Sequence, residues 1–241
     1  MQPARIELDR VNLTLGGTPV LRDVSLSLCA HRIGVLGRNG SGKTTLARVI
    51  AGLVAADQGH VRVAGVDVAK DRKAALGTVG ILFQNPDQQI IFPTVGEEIG
   101  FGLRQQGLTA SQVSDGVAQV LETFGRSAWY SASVHSLSQG QRQLVCLMSI
   151  LAMRPQVIVL DEPFSGLDIP TRMRLQRVLD ALPVTLVHIT HDPDAVAEAE
   201  QVVWIDQGKL LRSGAPSEVL PDFSAKMIAI GEGDDRTDIT G

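Results

Sequence analysis

Gly37-Arg38-Asn39-Gly40-Ser41-Gly42-Lys43-Thr44 fits the pattern G-x-x-x-x-G-K-[ST], and a short apolar stretch at 32–36 leads into it. Behind it, Leu46, Val49, Ile50 and Leu53 recur at helical spacing. The order is therefore strand, glycine loop and helix, the context that gives this pattern physical meaning. Glycines let the backbone curl around phosphate oxygens and aim N–H groups at them. The Lys43 ammonium reaches the outer phosphates of a triphosphate, and the Thr44 hydroxyl is placed for Mg²⁺. A helix that starts near Lys43 adds the positive end of its dipole. Without those flanking elements, a glycine-rich turn that happens to contain a lysine would read the same way.

Outward from this loop, the chain carries two kinds of strand pattern. Residues 6–15, 24–28 and 60–68 alternate apolar and polar side chains, the first of them only in places, as antiparallel strands with one buried face do. Residues 33–36, 157–160 and 184–189 are near-continuous apolar runs, which suit a parallel sheet covered on both sides. Between them, residues 85–136 hold Pro86, Pro93, several glycines and two helical patterns. One pattern spans 95–103; the other spans 113–124 after a cap at Thr109 or Ser111. The expectation is one domain over 1–230, with a helical subdomain inserted at about 85–153 and a polar, acidic, frayed tail at 231–241.

Composition narrows the class further. The 241 residues are 44% hydrophobic and carry a net charge of −4, with no long Lys/Arg block, which argues against a nucleic-acid backbone as the main partner. Cys29 and Cys146 lie far apart in apolar surroundings, so both are expected to be packed thiols. The N-terminus lacks an apolar signal-type stretch, and no run approaches the ~18 apolar residues that cross a bilayer. A cytoplasmic chain is expected, with any membrane role borrowed from a partner.

Leu160-Asp161-Glu162-Pro163 closes the apolar run that begins at Val157, so both carboxylates belong at the C-terminal edge of a parallel strand. Ligands bind at that edge in such sheets. Asp161 can hold Mg²⁺ through its hydration shell, and Glu162 can orient or deprotonate the water that attacks the γ-phosphate. Alone, the pair would read as a solvated turn; together with the Lys43 loop it reads as chemistry.

Further ordered motifs complete a resemblance. Leu137-Ser138-Gln139-Gly140-Gln141, at the start of a helix over 142–153, is similar to the LSGGQ signature of the ATP-binding cassette (ABC) ATPases. Gln84, Ser165-Gly166-Leu167-Asp168 and His191 resemble that family's Q-loop glutamine, D-loop and switch histidine. The match extends from about Arg5 to Gly214. It implies an α/β fold of the P-loop NTPase type, with a parallel core sheet, an N-terminal antiparallel β subdomain and the inserted helical subdomain. It implies ATP hydrolysis with Mg²⁺ as cofactor. Gly37, Arg38, Asn39, Gly40, Ser41, Gly42, Lys43, Thr44 and Thr45 would hold ATP, joined by Ser138, Gly140 and Gln141 from a second subunit of a head-to-tail homodimer. Thr44, Gln84 and Asp161 would serve Mg²⁺, and Glu162, His191 and Gln84 the catalytic step. His188, three residues earlier in the strand, is expected to be a core histidine.

Two departures from the family pattern stand out. Gln139 replaces the first glycine of the signature, and Leu15 occupies the place of the aromatic that usually stacks on adenine. No Phe, Tyr or Trp precedes Phe83, so modest affinity and weak preference for adenine over guanine are expected.

Residues 83–102, beginning Phe83-Gln84-Asn85-Pro86-Asp87, are similar to the segment found in energy-coupling factor (ECF) ATPases, which drive vitamin and metal-ion importers. Ile90, Ile91, Phe92 and Val95 then offer an apolar surface for a partner's coupling helix. By this resemblance the partners are a transmembrane coupling subunit and a small membrane protein that captures substrate, with no nucleic acid. The chain would sit on the cytoplasmic face of the membrane, serving biotin first, or cobalt, nickel or another vitamin. The alternatives are the ATPase of another ABC transporter, or a non-transport ABC ATPase.

Overall fold

A computed structural model of the chain describes residues 2–234. Strands β1 (Ile6–Leu15), β2 (Thr18–Leu28), β4 (Gln58–Val63) and β5 (Val66–Asp67) form an antiparallel sheet in the order β2-β1-β4-β5. The imperfect alternation of β1 has a local cause. Arg10 has a φ of 46°, and the register against β2 shifts between Leu8 and Val11, so Asp9 and Arg10 both face outward in a β-bulge. Inward residues Ile6, Leu8, Val11 and Leu13 stay buried on either side of it.

The second sheet has six strands in the order β10-β9-β3-β8-β7-β6. Here β3 is Arg32–Leu36, β6 Val79–Leu82, β7 Val157–Asp161, β8 Thr185–Thr190, β9 Gln201–Asp206 and β10 Lys209–Gly214. All pairs are parallel except β9 with β10. The apolar runs of β3, β7 and β8 are central and buried on both faces, as their composition requires. Register places Leu36 beside Thr190, and Asp161 beside Ile189. The C-terminal ends of β3, β7 and β8 thus share one edge.

Helix α1 (Lys43–Ile50) follows β3 and packs Leu46, Val49 and Ile50 into the core between the two sheets. Helices α2 (Arg72–Thr78) and α6 (Ile169–Asp180) flank the parallel sheet. The inserted subdomain contains α3 (Val95–Gln105), α4 (Ala110–Thr123) and α5 (Gln139–Ala152) around their own core of Ile99, Leu103, Val117, Leu121, Val145 and Met148. Thr109 is the cap of α4, closed by a reciprocal bond with Gln112. The helix α5 begins at Gln139, three residues before the expected start, because Ser138 caps it.

Several expectations are corrected. Val95 does not belong to a docking surface: Thr94 caps α3, and Val95 turns inward and is fully buried. Ile90 is half-buried against the helical core, which leaves Ile91, 68% exposed, as the most open of the four. Cys29 is exposed while Cys146 is buried, because the alternation of β2 that takes Leu28 inward sends its neighbour out. The final helix α7 (Pro216–Asp234) continues past Gly231, anchored by Val219 and Phe223 against Trp204. The rest of the expected tail, residues 235–241, lies outside the described residues.

Candidate active site

At the shared strand edge, the loop 37–42 joins β3 to α1. Gly42 has a φ of 102° and caps α1 without any side-chain hydrogen bond, so the first N–H groups of the helix are left for a ligand. A side chain at Gly42 would also bring its Cβ to 2.9 Å from the Val20 carbonyl oxygen. Lys43 is nearly buried, and its Nζ donates to the carbonyls of Gly37 at 2.7 Å and Arg38 at 2.8 Å. Burial pushes its pKa down, opposed by the negative charges of Glu162 and Asp161. The buried Ser41 hydroxyl has no protein partner. A loop with unused N–H groups, an orphaned hydroxyl and an ammonium is chemically suited to phosphate.

Thr44 donates its hydroxyl to Asp161 Oδ1 at 3.2 Å. Asp161 is 5% exposed, and burial raises its pKa while the Thr44 bond opposes the rise. These oxygens suit Mg²⁺, which takes few protein ligands and keeps several waters. Among the described residues, no cluster of three or more His, Cys, Asp or Glu side chains could hold a metal by itself.

Glu162 follows with a φ of 47°, a strained conformation for a residue with a side chain. Its amide donates to the Ile189 carbonyl at 3.0 Å, which fixes the turn beside β8. One carboxylate oxygen accepts from the Thr190 hydroxyl at 3.2 Å, and the other from the His191 amide at 2.9 Å. His191 Nδ1 lies 2.7 Å from that second oxygen. An ionised carboxylate only accepts, so Nδ1 carries the hydrogen and Nε2 is free to accept one. His188 behaves as the core histidine expected: burial lowers its pKa to about 4, and it packs edge-on against Phe164.

Gln84 follows β6 and donates from Nε2 to the Ser165 hydroxyl at 3.0 Å. One cavity of about 350 Å³ is lined by Asn39, Gly40, Gly42, Lys43, Thr44 and Thr45, and by Gln84, Asp161, Glu162 and His191. Gly37, Arg38 and Ser41 form the back of the loop. A larger cavity of about 830 Å³ in the helical subdomain lacks a lysine and a glycine loop, and none of the expected site residues lines it.

Ser138, Gly140 and Gln141 do not line the 350 Å³ cavity. Ser138 Oγ accepts from the Gln141 amide at 3.3 Å, and Gln141 Oε1 accepts from the Ser138 amide at 2.8 Å. Gly140 packs so closely on α6 that a Cβ there would come 2.3 Å from Thr171 Cγ2. Three contributors were missed in the sequence reading. Ser165 belongs to the Ser165-Gly166-Leu167-Asp168 motif and Thr190 directly precedes His191, but neither carries a sequence signal of its hydrogen bond. Val20, on β2, has no sequence signal at all; it lines the cavity where Leu15 does not.

The glycine loop, the carboxylate pair at a parallel strand edge and the inserted helical subdomain define a nucleotide-hydrolysing P-loop protein. Residues 21–165 match the ABC transporter family, and the chain belongs to that family. It is 48% identical over 225 residues to the biotin transport ATP-binding protein BioM of Rhodobacter capsulatus, covering 93% of this chain and 96% of that one. It is 37% identical over 214 residues to the energy-coupling factor transporter ATP-binding protein EcfA of Methanothermobacter thermautotrophicus, covering 86% and 69%. Among solved structures, cbiO1 of Clostridium perfringens, part of the ABC transporter complex cbiONQ, superposes with a TM-score of 0.74. That match has 26% identity and covers 90% of each chain. The chain is thus an ABC-type ATPase that binds and hydrolyses ATP.

Proposed function

We propose that this ATPase energises an ECF-type importer for a micronutrient, with biotin as the favoured substrate. The observation that carries the hydrolytic part is the convergence of Lys43, Thr44, Asp161, Glu162, His191 and Gln84 on one cavity. Lys43 and the amides of 39–45 hold the phosphates. Thr44, Asp161 and Gln84 would hold Mg²⁺, which would neutralise phosphate charge. Glu162 takes the proton of the attacking water, and His191, oriented through Nδ1, accepts a hydrogen of that water at Nε2. Ser138, Gly140 and Gln141 complete the nucleotide site of a second copy in a head-to-tail homodimer. Replacing Glu162 by Gln is expected to lower phosphate release about 10²–10⁴-fold, with ATP binding retained. Unchanged hydrolysis would overturn the role of Glu162.

The transport part rests on the likeness to BioM and EcfA. Leu53, Leu76, Ile91 and Phe101 line a groove of about 360 Å³ between the core and the helical subdomain, and the first three are well exposed. The groove receives an amphipathic helix of a transmembrane coupling subunit, which places the ATPase peripherally on the cytoplasmic face of the membrane. Among the described residues, no helix is long and apolar enough to cross a membrane. The test is to tag the chain in its native cell, extract membranes with mild detergent and identify what co-purifies. Two polytopic membrane proteins are expected, and the smaller one should bind biotin. Recovery with ribosomes or nucleic acid would overturn the transport reading.

A further inference from the structure

Behind the phosphate loop stands a turn that the reaction does not use. Gln207 and Gly208 join β9 to β10, with Asp206 paired to Lys209 across the turn. Their φ angles are 46° and 75°, both positive, as the favoured two-residue hairpin requires. Gln207 is exposed and Gly208 is buried. The Gly208 N–H donates to the Ser41 carbonyl at 2.9 Å, and the Gly208 carbonyl accepts from the Arg22 amide at 2.8 Å. A Cβ on Gly208 would come 2.3 Å from the Val20 carbonyl oxygen, the same atom that crowds Gly42. The hairpin tip, β2 and the end of the phosphate loop therefore meet backbone to backbone. At the start of the loop, a Cβ on Gly37 would lie 2.3 Å from the Ile205 carbonyl oxygen, so β9 backs that end as well. Lys226 of α7 lies 3.6 Å from Asp206 and anchors the hairpin.

We propose that Gly208 is a positioning residue for ATP binding, whose N–H, by holding the Ser41 carbonyl, aims the Gly42 N–H at the phosphates. No peptide bond among the described residues is cis, and in a trans peptide the carbonyl and the N–H point opposite ways. With the Ser41 carbonyl drawn back to the hairpin, the Gly42 N–H is directed away from it, toward the cavity that Gly42 lines. Glycine at this position lets the backbone turn easily, so the peptide plane needs a hold from outside the loop. A donor fixed before the ligand arrives costs little ordering when it binds. Neither Gln207 nor Gly208 lines the cavity, so the effect passes wholly through Ser41 and Gly42. This inference rests on the proposed reading of the Lys43 loop as the phosphate site.

The test is a backbone substitution in the full chain, made by protein semisynthesis beside a parent made the same way. Gly208→glycolic acid turns the 207–208 amide into an ester, which removes this one N–H and places no atom against Val20. Gly208→Ala would instead collide with the Val20 carbonyl and could fail to fold. Binding of ATP and of inorganic tripolyphosphate, each with Mg²⁺, is measured by titration calorimetry. The ester is expected to weaken both by about tenfold, the worth of one well-aimed hydrogen bond to a charged group. The hydrolysis rate at saturating ATP should stay within about twofold, because the N–H meets phosphate before and during the reaction alike. Gln207→Asn alters the same turn, keeps the Gly208 N–H and should bind both ligands as the parent does. Unchanged binding by the ester would overturn the proposal. So would a loss confined to ATP, or an equal loss in Gln207→Asn. The reading of the loop itself fails separately, if Lys43→Ala binds tripolyphosphate as tightly as the parent.

Discussion

Two helix N-termini in this molecule look alike in sequence and differ in chemistry. Helix α1 starts behind Gly42 with no side-chain cap, whereas α5 starts behind Ser138 with a closed capping box to Gln141. The first leaves its N–H groups to a ligand, beside a buried ammonium and two carboxylates. The second satisfies its own N–H groups and is stable without one. A phosphate at Ser138 must therefore compete with Gln141, whereas a phosphate at Lys43 meets no such rival side chain. In the head-to-tail dimer proposed above, this difference would set an order of events: nucleotide would be taken up first at the Lys43 loop, and the α5 end of the second copy would close on it afterwards.

The most forceful challenge to that order is a matched pair of substitutions read on dilute protein. Lys43→Ala is expected to weaken ATP binding roughly 10–150-fold, the worth of a lost charge-assisted hydrogen bond. Ser138→Ala should leave that binding unchanged. Equal losses by isothermal titration would erase the distinction between the two helix ends. A second challenge is Gly42→Ala, which meets both the positive φ and the Val20 carbonyl. Its expected cost is about 1–3 kcal/mol in chemical denaturation.

Smaller effects sharpen the contrast. Ser138→Ala should cost about 1 kcal/mol, a fall of ~2–4 °C in melting temperature without nucleotide. At the other end, Asp161→Asn should raise the nucleotide-free melting temperature slightly at neutral pH. Burial raises the folded pKa of Asp161, so the carboxyl loses stability as pH rises through that value, and Asn removes the loss. On acidification the gain should shrink, because wild-type Asp161 becomes neutral too. A gain that grew in acid would contradict the assigned cause.

Much of this architecture could be read from residue order. The continuous apolar runs of β3, β7 and β8 announced a covered parallel sheet, and the Lys43 loop, Asp161-Glu162 and His191 were each placed at strand ends that register then brought together. What escaped the reading depended on contacts between distant segments. The Gln143 bond to Phe83 and the Arg142 pair with Asp87 join residues that ordinary helix patterning marks only as polar. Val95 follows Ile90, Ile91 and Phe92 in sequence and so looks like part of their surface, whereas its spacing with Ile99 and Leu103 puts it on the buried face of α3. Val20 entered the site through the pairing of β2 with β1 and the contact of Arg22 with Gly208, neither of which local sequence encodes. The preference between ATP and GTP follows from the same absence of early aromatics and is expected to stay within about tenfold.

The strand order β10-β9-β3-β8-β7-β6 also governs how copies of this protein stay apart. At one margin lies β6, a strand of only four residues; at the other lies β10, which carries Lys209 and Arg212. Short or charged margins are poor templates for another chain to extend. The six-stranded sheet is thereby poorly suited to growing into a continuous ribbon by backbone pairing at either margin.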